Sequence, residues 1–450
     1  MKGGNMYLPK LDPDFVPAYV YNREFLKNAD KPFSIAVERE NGLIYRKDTF
    51  LGNDEEKNNF YVERLVKMLL WAAGGFRIHM AGDKKVFEYI KNAYTREGLR
   101  HFDVDFWETT YERPFEVIEH EFADMPENKE VQMHIGRHMD GCRIGFDAGG
   151  SDMKIASVVD GEVVHTEEIV WLPKVNPDVN YHREQIKKAM LAAAAKMPRV
   201  DAVGISTAGV LVANRAMVSS LFMAVDKEKY GNEAKNVYID VCNDLGYKMV
   251  VANDGDVAAL ACSMALNETG ILGIAMGTSE AGGYIDKEGS LRGYMTELAF
   301  APVDYNPSSS RDPWSGDWGV GAEYFSQDCV IRLAPKAGIT LDPSLTPAEK
   351  LKVVQKLHEE GDSRARDIFE TIGTYFGYAV ANYSDYYDIA NVQLSGRVTS
   401  GKGGEVILEK SRELLAGEFP ELAAKINIFL PGEMERRVGQ AVAAASLVEL

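Results

Sequence analysis

The chain has 450 residues, 46% of them hydrophobic and 26% charged, a composition that supports two or three globular domains with sizeable cores. A net charge of −18 disfavours non-specific binding to nucleic acid or to anionic membranes, so a nucleotide site must be built locally from backbone amides, a metal and a few cations. Cys142, Cys242, Cys262 and Cys329 stand far apart with no CxxC pair, which argues against a disulfide framework or a thiolate metal cluster; with no apolar leader and no bilayer-length apolar run, a cytoplasmic protein is expected.

The first 140 residues read as a small α/β or α+β unit. Phe33-Ser-Ile-Ala-Val37 alternates like a strand, and Asn41-Gly42 before Leu43-Ile-Tyr45 predicts a hairpin. A helix is predicted over 60–73, ended by Gly74-Gly75, then a strand over 76–80 and a second helix over 84–96 ended by Gly98. Phe102-Asp-Val-Asp-Phe106 and Phe115-Glu-Val-Ile118 alternate as two further strands. His134 and His138 have the i, i+4 spacing of helical metal ligands, but no third ligand is evident and Gly136 weakens the helix, so solvated or structural histidines are the better reading. The region lacks the basic face of a DNA-reading helix-turn-helix and shows no catalytic constellation, and 122–140 reads as a polar connection.

From residue 141 strands and helices alternate. Ile144-Gly-Phe-Asp-Ala-Gly-Gly-Ser-Asp-Met-Lys154 places a glycine turn between two strands, and Asp160-Gly161 closes a second hairpin. Gly149 and Gly150 would let backbone N–H groups approach a phosphate, Ser151 adds a hydroxyl and Lys154 a positive charge. Asp147 would repel a bare phosphate and makes sense as a partner of Mg²⁺ or its waters; an ordinary glycine hairpin with a solvated aspartate is the alternative. A helix over 183–196 precedes the strand 200–205, which leads into Ser206-Thr207-Ala208-Gly209; a further helix falls between Gly231 and Leu245. The strand 248–252 runs into Asn253-Asp254, then a helix over 258–266, and the strand 271–275 meets a second glycine hairpin, Met276-Gly-Thr-Ser-Glu-Ala-Gly-Gly283. Two such hairpins suggest two lobes gripping one phosphate chain, with Ser206, Asn253 and Thr278 at the carboxyl ends of strands where open α/β sheets bind ligands. A Pro-, Ser- and Trp-rich loop over 305–321, helices over 347–360 and 363–387, a strand opening into the glycines of 396–404, and a helix over 406–415 complete the chain.

Taken in order, these pieces resemble the ROK family of sugar kinases within the actin/hexokinase/heat-shock-70 superfamily, over about residues 141–450. Asp147-Ala-Gly-Gly-Ser151 is similar to the family's first phosphate motif, DxGGT; Gly204-Ile-Ser-Thr-Ala-Gly209 to its GIGxPG loop; Asn253-Asp254-Gly255-Asp256-Val257-Ala258-Ala259 to its ND-A-N-A-A segment; Gly277-Thr278-Ser279 with Gly282-Gly283 to its second phosphate motif; and Leu394-Ser-Gly396 to its adenosine motif. The resemblance implies a two-lobed actin-like, ribonuclease-H-like α/β fold with an additional N-terminal unit over 1–140. It places the first lobe at 141–265, the second at 266–434, and a helix at about 435–450 returning to the first. It implies transfer of phosphate from ATP with Mg²⁺ to a sugar hydroxyl, with Asp254 as base, Asp147 holding Mg²⁺ through water, and Ser206, Thr207, Gly209, Asn253, Glu297 and Glu323 around the sugar. Gly149, Gly150, Ser151, Lys154, Gly277, Thr278 and Gly396 would hold the nucleotide, and a homodimer is expected by the same resemblance.

Departures are informative. Where the family has Glu-x-Gly-His and a cysteine-rich zinc loop, this chain has Glu297-Leu-Ala-Phe300 and no cysteine between Cys262 and Cys329, so no zinc is expected and Phe300 implies an altered pocket. Ala208 replaces a proline, and Glu280 places an acid where it should repel a γ-phosphate unless it meets the metal. A sugar- or nucleotide-binding regulatory protein with weakened catalysis is the alternative, and phosphate-ester hydrolysis or a polyphosphate donor is a third class.

Overall fold

The computed structural model describes residues 7–130, 135–432 and 439–450; His134 of the His134/His138 pair lies outside them. The N-terminal unit opens with α1 (Ala18–Leu26) and builds a sheet in the order β2-β1-β3-β4. β1 (Lys31–Glu38) and β2 (Ile44–Leu51) form the antiparallel hairpin expected around Asn41-Gly42, whose φ angles of 59° and 67° are the successive left-handed conformations that Asn-Gly favours. α2 (Glu55–Ala73) starts at Asp54, whose side chain accepts from the Lys57 amide, and carries two glutamates in its first turn, where the helix dipole favours them. It ends at Gly74 (φ 90°), where a Cβ would stand 2.5 Å from the Tyr111 hydroxyl. β3 (Arg77–Ala81), α3 (Lys84–Ala93), α4 (His101–Tyr111) and β4 (Glu116–Glu119) follow.

The expected strand at Phe102–Phe106 is instead part of α4. Phe-Asp-Val-Asp-Phe satisfies both periods, because its end residues are also four apart. Tertiary packing decides: both rings meet Trp71, with centroids at 6.2 and 4.8 Å, while the buried Asp103 accepts from Lys67 Nζ at 2.8 Å and from Trp71 Nε1 at 2.9 Å.

In the next part, β5 (Cys142–Ala148), β6 (Asp152–Val159) and β7 (Glu162–Val170) form an antiparallel meander, turned at Asp160-Gly161 with φ of 47° and 86°. α5 (Val179–Ala194) leads to β8 (Ala202–Thr207); a hairpin of β9 (Val210–Val212) and β10 (Arg215–Val218), then α6 (Lys227–Asn232) and α7 (Val237–Leu245), precede β11 (Met249–Asn253). β8 and β11 join in parallel, giving the order β11-β8-β5-β6-β7. Ile144, Phe146, Val203 and Ile205 bury one face of this sheet against Ile186, Met190 and Tyr238. α8 (Asp254–Leu266) begins directly at the end of β11, earlier than its apolar run suggests.

The second lobe has β12 (Ile271–Met276), β13 (Glu280–Ile285), α9 (Gln327–Lys336), α10 (Pro347–Glu359), α11 (Ser363–Tyr383), β14 (Asn391–Ser395), α12 (Lys402–Glu418), α13 (Pro420–Ala423) and β15 (Asn427–Phe429), with its sheet ordered β13-β12-β14-β15. α14 (Gln440–Ala445) returns to the first sheet, so closely that a Cβ on Gly145 would stand 1.6 Å from the Ala441 carbonyl oxygen and one on Gly204 1.6 Å from that of Ala444. The N-terminal unit is not a separate body: Trp71, Phe106 and Trp107 lie in one apolar cluster with Leu298, Phe300, Tyr375 and Val392 of the second lobe. Among the described residues, no helix is long and apolar enough to cross a membrane.

Candidate active site

Parallel register sets the first half of the site. Asp147 of β5 stands beside Ser206 of β8, and Thr207 of β8 beside Asn253 of β11, so the carboxyl ends of three strands present these side chains at one level. Ser206 donates its hydroxyl to Asp147 Oδ1 at 2.8 Å, and the Thr207 hydroxyl pairs with the Tyr238 hydroxyl at 2.8 Å. Both residues, expected at the sugar, are fully buried with their hydroxyls engaged inside the lobe. Asn253 is the N-cap of α8: its Oδ1 accepts from the Gly255 amide at 2.7 Å, while Nδ2 donates to the Gly209 carbonyl at 2.9 Å. Asp254 is therefore the first helical residue, not the cap, and its Oδ1 accepts from the Gly255 amide at 3.1 Å.

A cavity of ≈ 290 Å³ opens beside this edge, lined by Gly209, Asn253, Asp256 and Glu297, and by Glu40 and Asn41 from the β1–β2 turn. Burial pushes Asp256 up to about 7, offset in part by the Tyr284 amide and reinforced by the Asp254 charge. Burial, with Asp254 and Asp256 adding to it, pushes Glu297 up to about 7 as well. Burial raises Asp147 against the opposing Ser206 hydrogen bond and Lys154 charge, and Asp254 pushes it further. Asp254 itself is raised by burial against its backbone hydrogen bonds. The Asp254 charge thus raises Asp147 as well as the cavity carboxyls Asp256 and Glu297.

The glycine turns supply the second half. In the first, the Gly149 amide donates to the Asp152 carbonyl at 2.9 Å, and Trp171 straps the turn by donating Nε1 to the Gly149 carbonyl at 2.7 Å and its amide to the Ser151 carbonyl at 3.2 Å. Ser151 donates to Asp152 Oδ1 at 2.8 Å, and the exposed Lys154 lies 3.5 Å from Asp152 Oδ2. A Cβ on Gly150 would stand 3.1 Å from Lys174 Nζ, a cation at the turn that the sequence did not single out because it arrives from a separate 3-10 segment, Pro173–Val175. In the second turn the Gly277 amide donates to the Ser279 carbonyl at 2.9 Å, and Thr278 is exposed at the tip. Gly396, at φ 101°, sits so near the end of β12 that a Cβ would lie 2.4 Å from the Met276 carbonyl oxygen. This brings the third glycine turn beside the second, next to a cleft of ≈ 950 Å³ at the start of α12 lined by Ser395, Gly396, Thr399 and Lys402.

Three expectations change. Glu280 does not face the phosphate turn: it is 5% exposed, its Oε1 accepts from the Tyr383 hydroxyl at 3.3 Å, and burial pushes it up to about 8, so it is uncharged at neutral pH. Phe300 does not line the cavity but packs on Trp71, Phe102 and Trp314 at 4.6, 5.6 and 5.2 Å between centroids. Glu323 does not line the cavity with Glu297: it takes the Ser310 hydroxyl, while Arg332 donates to its main-chain carbonyl at 2.9 Å. Among the cavity's unforeseen members are Asp256 and, from a unit in which the sequence shows no chemistry, Glu40 and Asn41.

No family model matches this chain, and no curated protein does. Solved structures do resemble it. A ROK hexokinase from Thermus thermophilus is 18% identical with a TM-score of 0.52, covering 68% of this chain and 97% of its own. A ROK-family transcriptional regulator, a homologue of the E. coli MLC protein, is 15% identical with a TM-score of 0.54, covering 69% of this chain and 79% of its own. The chain has the two-lobed, actin-like α/β fold of the ROK proteins, which carries both a kinase and a regulator.

Proposed function

We propose that the protein transfers phosphate from ATP to a hydroxyl of a sugar or sugar derivative. The observation that carries this reading is that the carboxyl ends of β5, β8 and β11 bring Asp147 and Asn253-Asp254 to one level, beside a cavity lined by Asn253 and Glu297. The residues fit Mg²⁺ and a nucleotide. Asp147 offers a carboxylate oxygen, the donor a hard cation prefers, because Ser206 occupies only Oδ1. Gly149, Gly150, Gly277 and Gly396 keep the turns free of side chains, with Lys154 and Lys174 as exposed cations beside the first turn. Bound Mg²⁺ would neutralise charge on the phosphates. Asp254 would accept the proton of the attacking hydroxyl, and its raised pKa makes it a better base than an ordinary carboxylate. Asn253 would hold the strand–helix turn that presents Asp254, and Glu297 would orient the sugar.

ADP release measured with Mg·ATP and a panel of hexoses, hexosamines and N-acetylhexosamines tests this. Sugar-dependent release that falls by about 10²–10⁴ in Asp254→Asn supports the reading. Absence of both sugar-dependent release and Mg·ATP binding in calorimetry overturns it. The likeness to a regulator of the same fold gives a second reading, a sugar sensor, which predicts sugar binding with no transfer.

A further inference from the structure

We propose that the cavity receives a sugar bearing a free ammonium group, with Glu40, Asp256 and Glu297 as its counter-charges. The inference rests on the kinase reading of the same site and names its substrate class. The three carboxyls come from separate places in the chain, the β1–β2 turn, the first turn of α8 and the segment before Leu298, and all three residues line the one cavity. Among the described residues, the lining of this cavity contains no lysine, arginine or histidine. The Glu297 carboxyl has no hydrogen-bond or ion-pair partner among the described residues, and Glu40 Oε2 is buried without one. Asp256 accepts only the Tyr284 amide, at 3.1 Å. Arg39, next to Glu40 in sequence, is committed elsewhere: it donates to the Gly293 carbonyl at 2.9 Å, pairs with Glu130 and lies over the Tyr294 ring.

Carboxyls gathered in a half-buried cavity, with no counter-charge among the described residues, are costly, and protonation relieves the cost only in part. Burial, with the Asp254 charge adding to it, pushes both Asp256 and Glu297 up to about 7, and a cation placed between them would favour their charged forms. Neutral hydroxyls would supply hydrogen bonds but no charge, whereas an ammonium group supplies three donors and the missing positive charge. Val210, Leu211, Val251 and Leu291 offer apolar surface for the face of the ring.

The test is calorimetric titration of the full chain, near neutral pH, with glucosamine, galactosamine and mannosamine against glucose, galactose, mannose and N-acetylglucosamine, with ADP release read in parallel. At least one amino sugar should bind about tenfold or more tighter than its neutral parent. Glu40→Gln and Asp256→Asn should each shrink that preference while unfolding at the wild-type temperature; either variant suffices if the other fails to fold. Equal or tighter binding of the neutral or N-acetylated sugars, or no binding of any amino sugar, overturns the proposal. ADP release with neutral sugars alone would sink the ammonium inference and keep the kinase; an amino-sugar preference without ADP release would do the reverse.

Discussion

A carboxyl can be useful or costly depending on what surrounds it, and Glu280 and Asp147 show the two cases. Glu280 ionises at about 8 in the folded chain against an ordinary 4.5, through burial. The folded state therefore keeps a proton that the unfolded state has lost, so the stability present below pH 4.5 is lost progressively as pH rises to about 8. Glu280→Gln keeps an acceptor for Tyr383 and cannot ionise. It should raise stability by roughly 2–4 kcal/mol at pH 8, with little change at pH 4. Urea unfolding at both pH values measures this; equal effects at the two would refute the buried-acid account. Asp147 differs because Ser206 donates to it and Lys154 opposes its neutralisation. Ser206→Ala removes one hydrogen bond to an ionisable carboxyl, an effect of about 1.5–3 kcal/mol. Its expected signature is a weaker affinity for Mg·ATP, by about tenfold or more, with sugar affinity unchanged. A loss confined to sugar affinity would instead return Ser206 to the sugar pocket.

At the scale of elements, α2 and α4 hold the 305–321 loop through buried charge. Lys67 lies 2.8 Å from Asp103 and 3.2 Å from Asp317, Arg100 lies 2.7 Å from Asp317, and Glu63 pairs with Arg64 at 2.8 Å. Asp317 alone bridges the loop to both helices among these acids. Asp317→Ala would leave Lys67 and Arg100 buried with too little counter-charge, so it should destabilise by about 3–5 kcal/mol. Thermal unfolding checks the size, and hydrogen exchange should show the gain concentrated in 305–321; unchanged stability would mean that water replaces the lost carboxylate. Such a network is illegible in sequence, since its members are charged residues far apart that read as solvated surface. Hairpins at Asn41-Gly42 and Asp160-Gly161 were legible because their left-handed turns restrict the residue types locally. The β9–β10 hairpin escaped notice because its strands have three and four residues and its left-handed turn is Ala213-Asn214, without glycine. Likewise, Asp147, Asn253 and Asp254 stand at strand ends that local pattern can place, whereas Glu40 reaches the cavity only through tertiary packing.

At the scale of the molecule, the N-terminal unit shares a core with the second lobe and with Val210, Val212 and Met217 of the β9–β10 hairpin, while the rest of the first sheet packs in a cluster of its own. Trp71 and Trp107 are wholly buried, and Phe300 and Tyr375 belong to the same cluster. The first lobe's cluster draws no member from the N-terminal unit. Residues 7–130 therefore act as part of the second lobe's interior, although in sequence they read as an appended unit. Deleting residues 1–140 would expose Phe300, Leu298 and neighbouring aromatic surface to water, leave Asp317 without Lys67 and Arg100, and remove Glu40 from the cavity. Each buried aromatic side chain contributes about 1.5–3 kcal/mol, so losing several exceeds the 5–15 kcal/mol that holds a typical domain together. The 141–450 fragment should aggregate or bind hydrophobic dye, with loss of cooperative unfolding in the second lobe. Native-state hydrogen exchange on the intact chain should give α2 and α11 a common opening free energy, distinct from that of α5 and α7. A soluble 141–450 fragment that unfolds cooperatively and still releases ADP with a sugar would show instead that the shared core is dispensable and that the N-terminal unit is an accessory to the kinase.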